Sequence, residues 1–171
     1  LSPLSASTAL TMLLNGCDGD TYSQLQGTLK YPSGMEISDI NEAYISLVDQ
    51  LLIADPKVKL ALANAIFYRN GFSIKAPFLA TMKNDYKATV DDLDFNAPSA
   101  LTTINKWAND NTNSKIQKVL DEIDPNAVMF IMNALYKLPV AKEIIENNIL
   151  EELRSPFFDT LKKKESTVPE A

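Results

Sequence analysis

Few side chains in this chain can do chemistry, and their types and spacing decide what they can do. There is no histidine among the 171 residues, so neither a Ser-His-Asp nor a Cys-His relay can be assembled, and a histidine-based zinc or iron centre is also excluded. Cys17 is the single cysteine. An internal disulfide is therefore impossible, and the thiol reads either as a small half-buried apolar group or as a reactive group that pairs with another molecule. Asp91, Asp92 and Asp94 gather three carboxylates on one short segment. Acid chemistry or calcium binding would use such a group, but no glycine-turn calcium loop or second ligand cluster accompanies it, and a solvated strand face is the simpler reading. Lys162, Lys163 and Lys164 form the only basic run, in a chain with 16 basic against 22 acidic residues and a net charge of -6. That balance argues against a nucleic-acid partner and against an anionic membrane surface, both of which need clustered cations. No cofactor and no metal is expected. The remaining polar candidates are Ser2, Ser5 and Asn133, which read first as a helix cap and satisfied buried polar groups.

The elements that must position these groups follow from periodicity. Ser2-Pro3 opens a helix with Ser5 as the expected N-cap and Ala6, Ala9, Leu10, Leu13 and Leu14 as its apolar face, ending at Gly16. Thr21-x-x-Gln24 has capping-box spacing and predicts a helix through Leu29, broken at Pro32-Ser33-Gly34. Ser38 or Asp39 caps the next, whose apolar positions Ile40, Ala43, Tyr44, Leu47, Val48, Leu51 and Leu52 keep helical spacing without a miss. After Asp55-Pro56, alternation from Val58 into Ile66-Phe67-Tyr68 predicts a strand, and Asn70-Gly71 turns the chain. A short helix carrying Phe78, Leu79, Met82 and Tyr86 leads to a second strand, Thr89 to Phe95, with an acidic outer side. The loop from Asn96 to Ser99 precedes a helix carrying Leu101, Ile104, Trp107 and Ala108, where Trp107 reads as a packing anchor. Ala127 to Tyr136 is a nearly continuous apolar run interrupted at Asn133, as for a strand buried on both faces. An acidic helical segment is expected from Val140 to Arg154. With 46% apolar and 22% charged residues, the chain can bury a core, and the fold class is α+β, several helices packed on a three-stranded sheet. No apolar run is long enough to span a membrane, and neither a basic and apolar leader nor an N-x-S/T sequon occurs in these residues, a removed signal peptide being compatible with a start in mid-motif at Leu1.

Several of these segments, in this order, resemble the N-terminal half of the serpins, a family of suicide-substrate protease inhibitors. The stretch Leu60 to Phe95 carries Asn64 and Phe67 in an AN-x-x-F pattern and Phe78, Lys83, Tyr86, Ala88 and Asp94-Phe95 in an F....K..Y.A.....DF pattern. SPLSASTAL at Ser2 to Leu10, Ile104-Asn105-x-Trp107 with Thr112-x-x-Lys115-Ile116, and Asn133-Ala134-Leu135-Tyr136 extend the likeness over residues 1–137. It ends where the family continues into F-K-G and this chain has Lys137-Leu138-Pro139; residues 138–171 read as a divergent helical tail.

The resemblance implies a partial serpin fold with a sheet A-like sheet, and it places Ser2, Ser5 and Asn133 in the "shutter", where that sheet parts. It implies serine-type endopeptidase inhibition by insertion of a reactive loop as a new strand, and hence no enzymatic activity. The loop, its hinge and the C-terminal strands are not found in the sequence, so the chain alone is expected not to inhibit. The expected partners are a target protease, a complementary strand or second serpin fragment, or a second copy of the chain. A non-inhibitory binding or self-assembly module using the sheet edge is the competing reading. The family implies a secreted or extracellular setting, with an intracellular one also compatible.

Overall fold

Alternation in the central strand sets the architecture. The structure, a computed structural model, describes residues 2–32, 34–53 and 59–138. Its elements run α1 (Pro3–Leu14), α2 (Gly19–Thr28), α3 (Ile37–Ile53), β1 (Lys59–Arg69), α4 (Ala76–Asn84), β2 (Thr89–Leu93), α5 (Pro98–Asn111) and β3 (Met129–Leu138). Because side chains of a strand alternate between faces, β1 feeds two cores. Ile66 packs with Met12 of α1, Met82 of α4, Tyr86 and Ala88. On the opposite face Ala65 and Phe67 pack with Ile104, bordered by Trp107, Phe130 and Met132. Helices thus cover both faces of the sheet. This accounts for the weak alternation in β1, where Ala65, Ile66 and Phe67 are all buried in succession.

The strand order is β2-β1-β3. β2 lies parallel to β1, with Ala65 opposite Thr89 and Arg69 opposite Leu93, a pairing that requires a crossover connection, supplied by α4. β3 runs the other way: Arg69 at the end of β1 donates its N–H to the Val128 carbonyl just before β3 begins, at 2.9 Å. The Arg69 guanidinium secures the same corner by donating to the Pro125 and Ala127 carbonyls, at 2.7 and 2.8 Å, while lying 5.4 Å from the centre of the Phe95 ring. Residues 2–53 and 60–136 belong to one compact unit; Lys59, Lys137 and Leu138 belong to a second, as strand ends.

Four expectations are corrected. In α1 the N-cap is Ser2, not Ser5, and the buried face is Thr8, Thr11, Met12 and Leu14, while Leu10 and Leu13 are exposed. Pro3 occupies the first turn, where its missing N–H costs nothing, so the cap falls on the residue before it. Threonine then buries its methyl group and satisfies its hydroxyl locally: Thr11 Oγ1 donates to the Ser7 carbonyl at 2.7 Å. In α2 the cap is Asp18, whose carboxylate accepts from the Gly19 N–H at 2.8 Å, and Thr21 lies inside the helix. In α3 the buried positions are Ile40 and Asn41, whereas Leu47 and Leu52 of the expected face are exposed. From Met129 to Tyr136 β3 is only half-buried apart from Ala134, so the expectation of burial on both faces fails for most of that run. The break at Ser33, the strand start at Val58 and the helix from Val140 to Arg154 lie outside the described residues.

Candidate functional site

Among the described residues β3 is an outer strand of the sheet. A cleft of about 490 Å³ runs beside it, lined by Ser2 and Ser5 of α1, by Trp107 of α5, and by Met132, Asn133 and Leu135 of β3 itself. The three polar residues singled out in the sequence therefore meet at one place. Their roles differ. Ser2 Oγ accepts the Ser5 N–H at 3.3 Å, so the pair forms a cap in which Ser5 contributes its backbone. Asn133 Nδ2 donates to Asn64 Oδ1 at 2.7 Å, but its own Oδ1 is buried without a partner.

Side-chain hydrogen bonds tie α5 to the segment that follows it. Asn105 Oδ1 accepts from the N–H groups of Val119 and Leu120, at 2.8 and 3.0 Å, and its Nδ2 donates to the Leu120 carbonyl at 2.9 Å. Thr112 Oγ1 closes the helix by donating to the Ala108 carbonyl at 2.7 Å and accepting from the Ile116 N–H at 2.9 Å. Asn113 Nδ2 reaches Tyr136 Oη on β3, at 3.2 Å. Trp107 meets Phe67 edge-on, with ring centres 6.4 Å apart and planes at 80°, which fits the packing role read from sequence.

Behind Asn133 lies a buried polar network that periodicity does not reveal. Asn64 is its hub: one amide hydrogen goes to the Tyr86 carbonyl at 2.7 Å, the other to Tyr44 Oη at 3.2 Å, and its carbonyl accepts from Asn133. Both donor hydrogens are thus used. Tyr86 Oη donates to Asn41 Oδ1 at 2.7 Å, and Asn41 and Asn15 exchange amide hydrogen bonds, at 2.8 and 3.0 Å. The Tyr44 and Tyr86 rings stack at 4.5 Å. Thr8 Oγ1 faces the Tyr44 hydroxyl without a bond of good geometry. The network joins α1, α3, the segment after α4, β1 and β3. Asn64 and Tyr86 were visible as motif positions; Asn15 and Asn41 carry no signal beyond a polar residue at a helix end and one inside an apolar periodicity.

Burial pushes both phenols up. For Tyr86 it dominates over the hydrogen bond from Asn15, which acts the other way, and the value lies well above the ordinary phenol range. Tyr44 moves in the same direction, burial again outweighing its bond from Asn64. A folded state that holds a phenol neutral has full stability below the unfolded phenol value of about 10. That stability is lost as pH rises from there toward the folded value. An alkaline titration followed by phenolate absorbance is expected to show Tyr44 and Tyr86 ionising together with loss of the far-UV helical signal. Ionisation of all six tyrosines at about pH 10 with the helical signal intact would contradict their burial.

The other candidates lie elsewhere. Asp91 and Asp92 are exposed on β2, and Asp94 Oδ1 accepts the Asn96 N–H at 3.0 Å, shaping the turn into α5. Cys17 is half-buried, its thiol donating to the Leu13 carbonyl at 3.3 Å. Residues 162–164 lie outside the described residues. Among the described residues no cluster of acidic or cysteine side chains could hold a metal ion, and no helix is long and apolar enough to cross a membrane.

A sheet flanked by helices on both faces, with β1 and β2 parallel and β3 reversed at the outer edge, is the arrangement expected of the N-terminal part of a serpin. A sequence model of the family Serpin (serine protease inhibitor) matches residues 1–138, and the chain belongs to that family. It is 30% identical over 141 residues to neuroserpin of Homo sapiens, a match covering 79% of this chain and 33% of that protein. The thermophilic serpin tengpin in its latent state superposes with a TM-score of 0.71 and 36% identity, covering 79% of this chain and 36% of that one. A loop C-sheet serpin polymer gives 0.70 and 36% identity, with 79% and 35% covered. The chain thus spans about a third of the length of the curated relatives it matches.

Proposed function

We propose that these residues form the strand-accepting half of a protease inhibitor that acts on serine-type endopeptidases by inserting a reactive loop into its sheet. The observation that carries this reading is the outer edge of β3, with Ser2 and Ser5 on one side of its cleft, Trp107 on the other and Asn133 facing in. An outer strand presents a row of N–H and C=O groups, a template for another strand. A helix on each face limits what enters to something strand-thin, and loop insertion is the transition such an edge accommodates. In this reading Ser2, Ser5 and Asn133 latch the sheet until insertion, residues 138–171 are a divergent tail to residues 1–137, and the setting is extracellular.

The inserted strand is assigned to a part of a serpin-length protein beyond these residues, so the 171-residue polypeptide is expected not to inhibit. Incubation with trypsin-, chymotrypsin- and elastase-like proteases should give no SDS-stable complex, and a clear one would overturn the assignment. A second reading, self-assembly through β3, is favoured by its place as an outer strand among the described residues, an edge that a second copy can extend. A dimer in solution whose outward-facing β3 amides, those not paired with β1, resist hydrogen exchange supports it; a monomer in which those amides exchange rapidly removes it.

A further inference from the structure

Asparagine followed by glycine is the sequence in which a backbone amide most easily attacks the side chain before it, because glycine offers no Cβ to obstruct the approach. This chain has two such pairs, Asn15-Gly16 and Asn70-Gly71, and the fold treats them oppositely. Asn15 is the C-cap of α1, in right-handed helical geometry. Its Nδ2 is held by the Thr11 carbonyl at 2.9 Å and Asn41 Oδ1 at 3.0 Å, and its Oδ1 by Asn41 Nδ2 at 2.8 Å. The nucleophile is engaged as well: the Gly16 N–H donates to the Leu13 carbonyl at 2.9 Å. A side chain built on Gly16 would meet the Phe78 ring at 3.2 Å, so the pair has little room to rearrange.

Asn70-Gly71 has none of these restraints. Both residues are exposed. They form the centre of a turn closed by the Phe72 N–H on the Arg69 carbonyl at 2.9 Å, with Gly71 at φ +81, the value a type II turn requires at its third position. Nothing lies within 4 Å of a Cβ built on Gly71. Among the described residues neither the Asn70 amide nor the Gly71 N–H has a hydrogen-bond partner, and only the Asn70 N–H is fixed, to the Leu93 carbonyl at 2.8 Å.

We propose that Asn70 is a site of spontaneous covalent modification, deamidation through a cyclic imide, and that the fold protects Asn15 from the same reaction. The Gly71 nitrogen gives its proton to water or hydroxide and bonds to Asn70 Cγ. The bond from Cγ to Nδ2 then breaks and ammonia leaves. Water opens the five-membered imide at either carbonyl, giving aspartate or, with one more methylene in the backbone, isoaspartate. One water is consumed and one ammonia released, with no oxidant or reductant. The product adds a negative charge to a chain already at -6. Where isoaspartate forms, it lengthens the turn joining β1 to α4, next to Arg69, which holds the start of β3.

The test is a time course of the folded protein in mildly alkaline buffer at physiological temperature, read by peptide mapping with mass spectrometry, beside the same course in denaturant. In the folded protein the amide-to-acid mass change is expected at Asn70 in at least about tenfold excess over Asn15, the discrimination that about 1.4 kcal/mol of local restraint provides. In denaturant the two sites should react at comparable rates. Equal rates in the folded protein, a faster Asn15, or no reaction at Asn70 would each overturn the proposal. Asn70→Ser should abolish the modification at the turn and leave the slow Asn15 course unchanged.

Discussion

Asn64→Ala is expected to destabilise the protein by about 3 kcal/mol, seen as a lower urea midpoint at unchanged slope. The residue is only 5% exposed, and it bonds at once to the Tyr86 carbonyl, Tyr44 Oη and Asn133 Nδ2. Alanine leaves the carbonyl and the amide without partners in a site from which water is largely excluded. Stranding such groups costs more than the bonds themselves contribute. Asn133→Ala should cost less, about 1 kcal/mol, because it strands only the Asn64 side-chain oxygen and at the same time removes a buried acceptor that has no partner. Equal losses in the two variants would show that Asn64 is not the hub. The order matters for the proposed function, since a latch at Asn133 that contributes little to the resting fold is one that an incoming strand can displace.

Phe67→Ala is expected to cost about 4 kcal/mol and to lower the melting temperature by roughly 10 °C for a chain of this size. Phe67 is 1% exposed at the middle of the face packed by α5, against Ala65 and Ile104, with Trp107 edge-on. Removing the ring loses its transfer free energy, leaves a cavity and takes away an aromatic pair, and a rigid strand cannot collapse to fill the space. Phe72→Ala, at a ring 42% exposed, should change stability by less than about 0.5 kcal/mol. If the two losses were alike, α5 would not be docked on β1.

The strands and most helices were legible because each is written locally. The Ile66-Phe67-Tyr68 run, the turn at Asn70-Gly71 and the helical spacing through Trp107 need only a few neighbouring residues to be recognised, and the structure places β1, β2, α4 and α5 accordingly. The failures share a cause: periodicity counts apolar side chains and takes them to be the buried ones. In α1 the buried stripe runs through Thr8 and Thr11, and in α3 it includes Asn41, because local or cross-element hydrogen bonds make those polar groups tolerable inside.

The sequence by itself determined that no histidine-dependent chemistry is available within these 171 residues, that their elements follow a serpin-like order over residues 1–137, and that Ser2, Ser5 and Asn133 are the polar candidates to consider together. The tertiary structure alone decided that Asn64 joins Asn133 to two stacked tyrosines, that Asn133 keeps one acceptor unmet beside a cleft at the edge of β3, and that of two identical dipeptides one is locked and the other open. The physical reason is the same in each case. Composition and spacing fix what a residue can offer to its own segment, whereas hydrogen-bond partners of buried amides and the freedom of an exposed turn depend on segments far away in the chain, which only folding brings within reach.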